Sequence, residues 1–185
     1  MSSQNTESPF GRVITAMVTP FDANGNVDHI QARAVAKHLI DTGTTSIVVT
    51  GTTGEGPSLS EEEKLTLYAT VLDSLDGSGN VIAGTTTYNT KESIELSARA
   101  EDIGVDGILM TVPYYNKPTQ SNLINHFEMI ADSISIPGIL YNVPSRTSLN
   151  MTAVTTAKLS KITNIIGVKE ASADLGQIAD IIRLS

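Results

Sequence analysis

The sequence predicts an α/β protein built on a parallel sheet. Six short runs rich in β-branched residues alternate with longer segments of helical periodicity. The chain has 185 residues, 40% of them hydrophobic and 17% charged, which is typical of a globular protein with one sizeable core. Two architectures fit this alternation: a doubly wound open sheet, and a (β/α)8 TIM barrel represented by about six of its eight βα units.

The predicted strands and helices follow one another along the whole chain. Strands are expected at residues 12–18, 46–50, 80–84, 107–111, 138–141 and 165–169. Helices are expected at residues 28–42, 60–75, 90–103, 120–134 and 152–161, with another beginning near residue 174. Residues 1–11 are predicted to be a disordered or extended N-terminal segment, and residues 12–185 to form one partial (β/α) barrel domain.

Residues that favour helix ends support these boundaries. Ser60 and Glu63 have the spacing of a capping box, and acidic residues after Ser60 suit the positive end of the helix dipole. Gly43, Gly77 and Gly104 follow three of the predicted helices. Glycine is favoured there because a helix often ends with a residue in the left-handed conformation.

Composition and charge exclude several classes of function. A net charge of −8 argues against nucleic acid or an anionic membrane surface as the main partner. The chain has no cysteine, which excludes disulfides, thiolate catalysis and zinc–thiolate sites. His29, His38 and His126 lack the spacing of metal ligands, and each is predicted to lie on a helix surface. No apolar run approaches the ~20 residues of a membrane span and the opening residues do not resemble a signal peptide, so a cytoplasmic protein is expected.

Reactive side chains are concentrated in the segments that follow predicted strands. These segments are residues 51–56, 113–116 and 141–147, and Lys169 closes the last strand. In a parallel barrel the carboxyl ends of all strands open on one face, where active sites are built. An amine, several hydroxyls and a guanidinium are therefore expected to converge there.

Lys169 ends an apolar run, residues 165–168, that predicts a fully buried strand. Its ammonium has two alternative environments. It reaches water beside Glu170 as an ordinary surface residue, or it is partly desolvated. Desolvation disfavours the charged form and lowers the pKa, which is how Schiff-base lysines become nucleophiles. Position alone leaves both alternatives open.

The other segments are also ambiguous when taken singly. Residues 51–56 lack the lysine of a P-loop and the glycine spacing of a dinucleotide site, although their amides and hydroxyls suit a carboxylate. A plain turn from strand to helix is the alternative. Tyr114 and Tyr115 fit packing or an interface, and Arg146 fits a surface position.

Together, four ordered motifs resemble the 4-hydroxy-tetrahydrodipicolinate synthase (dihydrodipicolinate synthase) family. They are Gly-Thr-Thr-Gly-Glu at 51–55, Tyr-Tyr-Asn at 114–116, Tyr-Asn-Val-Pro-Ser-Arg-Thr at 141–147 and Gly-Val-Lys-Glu-Ala at 167–171. Val-Thr-Pro-Phe at 18–21 and the spacing of the elements match as well, from about residue 12 to the last residue. The resemblance implies a (β/α)8 TIM barrel, here an incomplete one of about six βα units.

The resemblance implies a lyase that condenses pyruvate with L-aspartate 4-semialdehyde in the diaminopimelate route to lysine, without a metal or organic cofactor. Lys169 would form a Schiff base with pyruvate, and Tyr141 would move protons. Thr52 would link Tyr141 to Tyr115 through hydrogen bonds. In this family the tyrosine matching Tyr115 reaches into a neighbouring subunit, so a homo-oligomer, a dimer or tetramer, is implied.

Substrate carboxylates are assigned by the same resemblance. Thr53 and the loop amides from Gly51 onward would hold the carboxylate of pyruvate, and Arg146 that of the second substrate. Related N-acetylneuraminate lyases and keto-sugar-acid aldolases share the lysine and the tyrosine. Arg146 within its motif favours the synthase over these relatives.

Feedback inhibition by lysine is not expected. Inhibited members use a histidine and an asparagine where this chain has Glu61 and Tyr88. Glu92 and Tyr114 do match that cleft.

Family members run roughly 100 residues longer, with two further βα units and a C-terminal helical region. Three explanations are open, the first preferred: a fragment of a longer product; copies that close a shared barrel or cover each other's edges; and a non-catalytic remnant that binds pyruvate or modulates an oligomer. Six strands are expected to leave two edge strands exposed.

Overall fold

The computed structural model describes residues 8–185. Most of the predicted N-terminal segment, residues 1–11, lies outside the described residues. Within its last four residues the chain turns, and the Gly11 amide donates to the Ser8 carbonyl over 2.9 Å. Phe10 is 1% exposed, and its carbonyl accepts hydrogen bonds from the hydroxyls of Ser46 (2.6 Å) and Thr45 (2.8 Å).

Strands and helices alternate through the described residues. The strands are β1 (Ile14–Ala16), β2 (Ser46–Val49), β3 (Asn80–Gly84), β4 (Gly107–Thr111), β5 (Gly138–Asn142) and β6 (Ile165–Glu170). The helices are α1 (His29–Asp41), α2 (Glu61–Leu75), α3 (Thr90–Ile103), α4 (Gln120–Ala131), α5 (Pro144–Thr147), α6 (Ala153–Leu159) and α7 (Leu175–Leu184). Two 3₁₀ turns, Thr52–Gly54 and Gly56–Ser58, lie between β2 and α2. The predicted bounds of β3, β4 and α3 are confirmed, whereas β1 and α4 are shorter than predicted and α5 was not predicted.

The strands form one sheet in the order β1-β2-β3-β4-β5-β6. The pairs β1–β2, β4–β5 and β5–β6 are parallel. Strands that follow chain order, with a helix after each, have the topology of a (β/α) barrel, whereas a doubly wound sheet reverses its order at a switch point. The predicted α/β class is confirmed, and the topology is that of six consecutive βα units of the TIM-barrel type.

The chain divides into two compact units, Met1–Ile82 and Ala83–Ser185. In the N-terminal unit, β2 and α2 bury their apolar side chains, among them Ile47 and Tyr68, each 0% exposed. In the C-terminal unit, β4, β5 and α4 do the same, with Met110 and Phe127 at 0% exposed. That residues 12–185 act as one domain stays a prediction.

The residues predicted to mark helix ends, Ser60, Gly43, Gly77 and Gly104, are confirmed in that role. The Ser60 hydroxyl accepts from the Glu63 amide over 3.3 Å, and the Glu63 carboxylate accepts from the Ser60 amide over 2.8 Å, which completes the capping box. Gly43, Gly77 and Gly104 have φ values of 106°, 78° and 99°, where glycine avoids the strain that a side chain brings. The sequence therefore sets these helix ends locally.

The prediction that β6 is fully buried is wrong. Ile165 is 6% exposed, but Ile166 is 42% exposed and Gly167 and Lys169 also face solvent. β6 is last in the sheet order and pairs with β5 alone among the described strands, so its other side carries no neighbour. β1 is first in the order, and next to it Val13 and Val18 are 50% and 52% exposed. Exposed edge strands are thus confirmed.

His126 corrects a second expectation, because it is buried rather than on a helix surface. It lies in α4 at 5% exposure, its Nδ1 is 2.8 Å from the Thr90 hydroxyl, and its Nε2 is buried with no hydrogen-bond partner among the described residues. Burial lowers the pKa of His126 from 6.5 to about 4. The imidazole is therefore neutral in the folded protein at neutral pH.

We expect His126 to make stability depend on pH. The unfolded chain binds a proton at this histidine near pH 6.5, whereas the folded chain does so only near pH 4. The contribution of the neutral histidine to the free energy of unfolding is therefore fully present above pH 6.5. The free energy of unfolding falls by about 3 kcal/mol as the pH drops to about 4. Urea unfolding of His126→Asn should lack this part of the pH dependence. The matched variant His38→Asn, at an exposed position of α1, should keep it; equal pH profiles for wild type and His126→Asn would contradict the expectation.

Candidate active site

The carboxyl ends of β5 and β6 bring Tyr141 and Lys169 side by side. The two residues are paired in the parallel register. The Lys169 Nζ lies 4.3 Å from the centroid of the Tyr141 ring. Tyr141 is 6% exposed, so its ring is packed in place beside the amine. Side chains at one register position point to the same face of a sheet, which accounts for the contact.

Lys169 is exposed, yet its pKa is lowered by the partial burial of its ammonium. The tyrosine ring opposes this effect, because a cation above an aromatic face is stabilised. The pKa is lowered by desolvation, so the neutral amine is populated at lower pH than in an ordinary lysine. The two environments left open by the sequence are therefore combined: the amine is partly desolvated and still open to a ligand.

Arg146 lies just beyond β5 in the short helix α5 and is exposed. Pro144 occupies the first turn of this helix, where its missing amide proton costs no hydrogen bond. Thr147, at the end of the helix, is buried and its hydroxyl donates to the Leu149 carbonyl over 2.9 Å. The short helix therefore follows β5 directly and leaves the Arg146 guanidinium exposed, where an anionic group can reach it.

Tyr115 projects from the segment that follows β4. The Asn116 amide donates to the Tyr114 carbonyl over 2.9 Å, which closes a γ-turn around Tyr115. Tyr115 has a φ of 72° and is 88% exposed. A left-handed tyrosine costs backbone energy, of order 1–3 kcal/mol, and such strain is concentrated at functional sites.

Tyr114, the residue before Tyr115, packs against Tyr88. The two rings meet edge to face with centroids 5.4 Å apart. Burial raises the pKa of Tyr114, and the neighbouring Tyr88 and Glu92 raise it further. The structure thus brings together Glu92, Tyr114 and Tyr88, three of the residues compared with the family's lysine cleft.

Residues 51–56 form a tight loop in the N-terminal unit. The amides of Gly54 and Gly56 donate to the Gly51 carbonyl over 3.0 and 3.2 Å. Thr52 and Thr53 are exposed, and their hydroxyls and amides make no hydrogen bond within the described residues. Two amides and two hydroxyls are therefore available to an anion at this loop.

Two buried contacts hold the start of this loop. Thr50 has a φ of 56°, unusual for a β-branched residue, and its hydroxyl lies 2.7 Å from that of Tyr68, with both residues buried. Burial raises the pKa of Tyr68 beyond the ordinary range of tyrosine. Gly56 approaches so closely that a Cβ there would lie 2.0 Å from the Thr50 carbonyl oxygen. The loop conformation thus depends on glycine at position 56.

Each predicted site residue lies within the last two residues of a strand or in the segment that follows a strand. Lys169 and Tyr141 are brought into contact, and Arg146 and Tyr115 lie in the same compact unit. Gly51, Thr52 and Thr53 lie in the N-terminal unit. The catalytic and binding roles of all seven stay predictions.

The sequence interpretation did not identify a polar cluster behind Lys169. Glu170 accepts hydrogen bonds from Asn142 and Gln177, and Asn142 is fully buried. A signal was present, because Asn142 follows Tyr141 as Glu170 follows Lys169. It could be interpreted only once β5 and β6 were known to pair.

Parallel strands in chain order with reactive groups at their carboxyl ends define a TIM-barrel-type protein whose candidate site centres on an amine. The profile of the dihydrodipicolinate synthetase family matches residues 9–185. The chain belongs to this family.

Comparisons with individual relatives support the same family. The chain is 53% identical over 174 residues to 4-hydroxy-tetrahydrodipicolinate synthase of Symbiobacterium thermophilum, covering 94% of this chain and 59% of that protein. It superimposes with a TM-score of 0.93 and 46% identity on dihydrodipicolinate synthase of Bacillus anthracis, covering 95% of this chain and 60% of that one. The chloride-inhibited enzyme of Acinetobacter baumannii, in complex with pyruvate, has a TM-score of 0.90 and 40% identity, with 93% and 60% covered. The chain thus spans about three fifths of the length of these relatives.

Among residues 8–185, no helix combines the length and apolarity that a membrane crossing requires. In the same part of the chain, no group of three or more His, Asp or Glu side chains is placed to hold a metal ion.

Proposed function

We propose that the chain carries the Schiff-base chemistry of 4-hydroxy-tetrahydrodipicolinate synthase, in which pyruvate is bound covalently at Lys169. The observation that carries the proposal is the lowered pKa of an amine that remains open to solvent beside Tyr141. Membership of the family supports it, as does the pyruvate complex of the Acinetobacter baumannii relative.

In the proposed reaction the neutral Lys169 amine attacks the ketone carbon of pyruvate. The carbinolamine loses water to give a protonated imine, and electrons from a methyl C–H bond flow into that cation as the proton leaves. The resulting enamine carbon attacks the aldehyde of L-aspartate 4-semialdehyde. Lys169 Nζ lies above the Tyr141 ring, where an aromatic face stabilises the iminium cation. The iminium that pyruvate forms with Lys169 is the electron sink, so the proposed chemistry uses no metal or organic cofactor.

Proton transfer is assigned to hydroxyl groups. Tyr141 is the residue beside the amine, and we assign it the protons of imine formation and of the later steps, including the proton lost from the methyl group. Thr52 and Tyr115 complete the proposed hydroxyl relay. The exposure of Tyr115 supports a role toward a second copy of the chain, and a homo-oligomer is part of the proposal. A cytoplasmic location, as expected for amino-acid biosynthesis, is also part of it.

Carboxylate recognition is divided between two positions. Thr53 and the open amides after Gly51 are proposed to bind the carboxylate of pyruvate. Arg146 is proposed to bind the carboxylate of the second substrate, because a guanidinium can donate two parallel hydrogen bonds to it.

The test is reduction with borohydride in the presence of pyruvate, followed by intact-protein mass spectrometry. Borohydride reduces an imine to a stable amine, so one pyruvyl unit should be added to the chain. Folded protein that acquires no adduct would contradict the proposal. Adding the semialdehyde and measuring the condensation product then separates the synthase from the related lyases and aldolases.

Removing one hydroxyl should slow imine formation without preventing it. In Tyr141→Phe the ring beside Lys169 is kept and the proton donor is lost, so we expect the adduct to form about 100-fold more slowly. The measurement is the time course of trapping by mass spectrometry. Tyr88→Phe, which removes a hydroxyl from a half-exposed tyrosine in the same unit, should leave the time course unchanged. Equal rates in both variants would exclude Tyr141 as the proton carrier.

A further inference from the structure

The residues that follow Tyr141 and Lys169 are themselves a pair. Asn142 and Glu170 stand opposite each other at the next register position of β5 and β6. Successive residues of a strand point to opposite faces, so this pair lies behind the sheet from Lys169 and Tyr141. Asn142 is 0% exposed and Glu170 is half-buried.

Three neutral donors converge on the Glu170 carboxylate. The Asn142 Nδ2 donates to its two oxygens over 3.0 and 3.1 Å, and the Ser172 amide donates over 2.8 Å. The Gln177 Nε2 donates over 3.0 Å. These donors come from β5, from the segment after β6 and from α7, so one carboxylate joins three parts of the chain.

The same groups also bond to one another. The Asn142 Oδ1 accepts from the Met151 amide over 2.9 Å, and its Nδ2 is 2.7 Å from the Asn150 Oδ1. The Asn150 Nδ2 donates to the Gln177 Oε1 over 2.7 Å. Asn142, Asn150, Glu170 and Gln177 therefore form a closed set, here called the amide–carboxylate cluster. Such partially buried networks are rigid when every member is satisfied.

We propose that the amide–carboxylate cluster is the positioning device of the nucleophile, with Glu170 as the residue that locks the end of β6 in register so that Lys169 stays above Tyr141. This inference rests on the proposed function and adds a residue to it. Glu170 does not touch the reacting atoms. It acts through the backbone that it shares with Lys169.

The chemistry of the cluster requires a carboxylate at position 170. A carboxylate offers acceptors only, which matches the three donors that face it. In Glu170→Gln one oxygen becomes an NH₂ group, which must face another donor. The glutamine side chain keeps the shape of glutamate but cannot accept the same hydrogen bonds. This variant therefore tests whether the hydrogen bonds position Lys169, with packing unchanged.

Two readouts are measured on the full chain. The first is the rate of pyruvate trapping, which we expect to fall between about 10-fold and 100-fold in Glu170→Gln, because small misplacements of a reacting group are costly. The second is the labelling of Lys169 by trinitrobenzenesulfonate as a function of pH, with the exposed Lys158 of α6 as internal reference. Labelling needs no pyruvate, so it tests the cluster even if the proposed function fails.

The direction in which the pH midpoint of Lys169 labelling shifts tests the positioning role of the cluster. If the cluster holds Lys169 in its partly buried position, the labelling midpoint of Lys169 should rise in Glu170→Gln toward the ordinary lysine value of 10.5. Loss of a nearby negative charge alone would lower the midpoint instead. An unchanged or lowered midpoint would overturn the proposal. Absence of an adduct in the wild type would overturn the proposed function and leave the labelling result valid.

Two further variants guard against a general loss of structure. Glu101→Gln changes another carboxylate of the same unit, one that accepts from the Ser135 amide over 2.9 Å, and should alter neither readout. Gln177→Met removes one of the three donors and leaves the carboxylate. It should shift the midpoint in the same direction by a smaller amount, and no shift in this milder variant together with normal trapping would count against the cluster.

Discussion

Lys169→Ala and Lys169→Arg are both expected to abolish the pyruvyl adduct that is proposed to form on the wild-type chain under borohydride. Alanine has no amine, and the arginine guanidinium stays protonated at any accessible pH, so neither can attack a ketone. The effect is all-or-none in the mass spectrum. Lys158→Arg, a matched change at an exposed lysine of α6, should keep the adduct. An adduct that survives in Lys169→Arg would show that another amine reacts.

The pH dependence of trapping gives the same assignment a second test. Only the neutral amine is nucleophilic, and the pKa of Lys169 is lowered by partial burial from 10.5. The trapping rate should therefore rise with pH and reach its midpoint below 10.5. A midpoint at or above this value would mean that burial does not activate the amine.

Gly56→Ala is expected to destabilise the chain by about 3 kcal/mol. The added Cβ would lie 2.0 Å from the Thr50 carbonyl oxygen and 2.9 Å from its carbon. Both are backbone atoms of a residue that is already strained at a φ of 56°, so moving either atom would cost further energy. The measurement is the urea midpoint of unfolding. Displacement of the loop should also weaken the proposed binding of pyruvate, since Thr53 belongs to the loop.

Gly167→Ala is the matched control. A Cβ at Gly167 meets no atom within 4 Å among the described residues, and the position lies in strand β6. Alanine is favoured over glycine in a strand by roughly 0.5–1 kcal/mol, so the midpoint should stay the same or rise. Equal losses in the two variants would show that the close approach at Gly56 is not what sets the cost.

Local signals predicted most of the secondary structure. The bounds of α3 were predicted and Gly104 was expected to follow its end; the structure adds Asn89 as the N-cap, and both residues act within one turn of the chain. The helix α5 was not predicted, because four residues carry no periodicity. Its conformation depends on the turn at Pro144 and on the hydrogen bond of the buried Thr147.

Burial was predicted less well where it depended on neighbours distant in sequence. His126 was expected on a helix surface and is buried against the Thr90 hydroxyl of α3. The apolar run before Lys169 was expected inside the sheet and forms its edge. In both cases the residue pattern is the same for either outcome, and only packing partners distinguish them.

By itself the sequence determined the alternation of strands and helices, the capped helix ends, the family, and which residue types follow each strand, because these depend on local order along the chain. The tertiary structure alone decided that Lys169 meets the ring of Tyr141, that its amine is partly desolvated, and that Glu170 is held by Asn142. Those properties arise from the pairing of β5 with β6, which joins residues 28 positions apart. A pKa and a hydrogen-bond network depend on distances between such residues, and distances exist only in the folded chain.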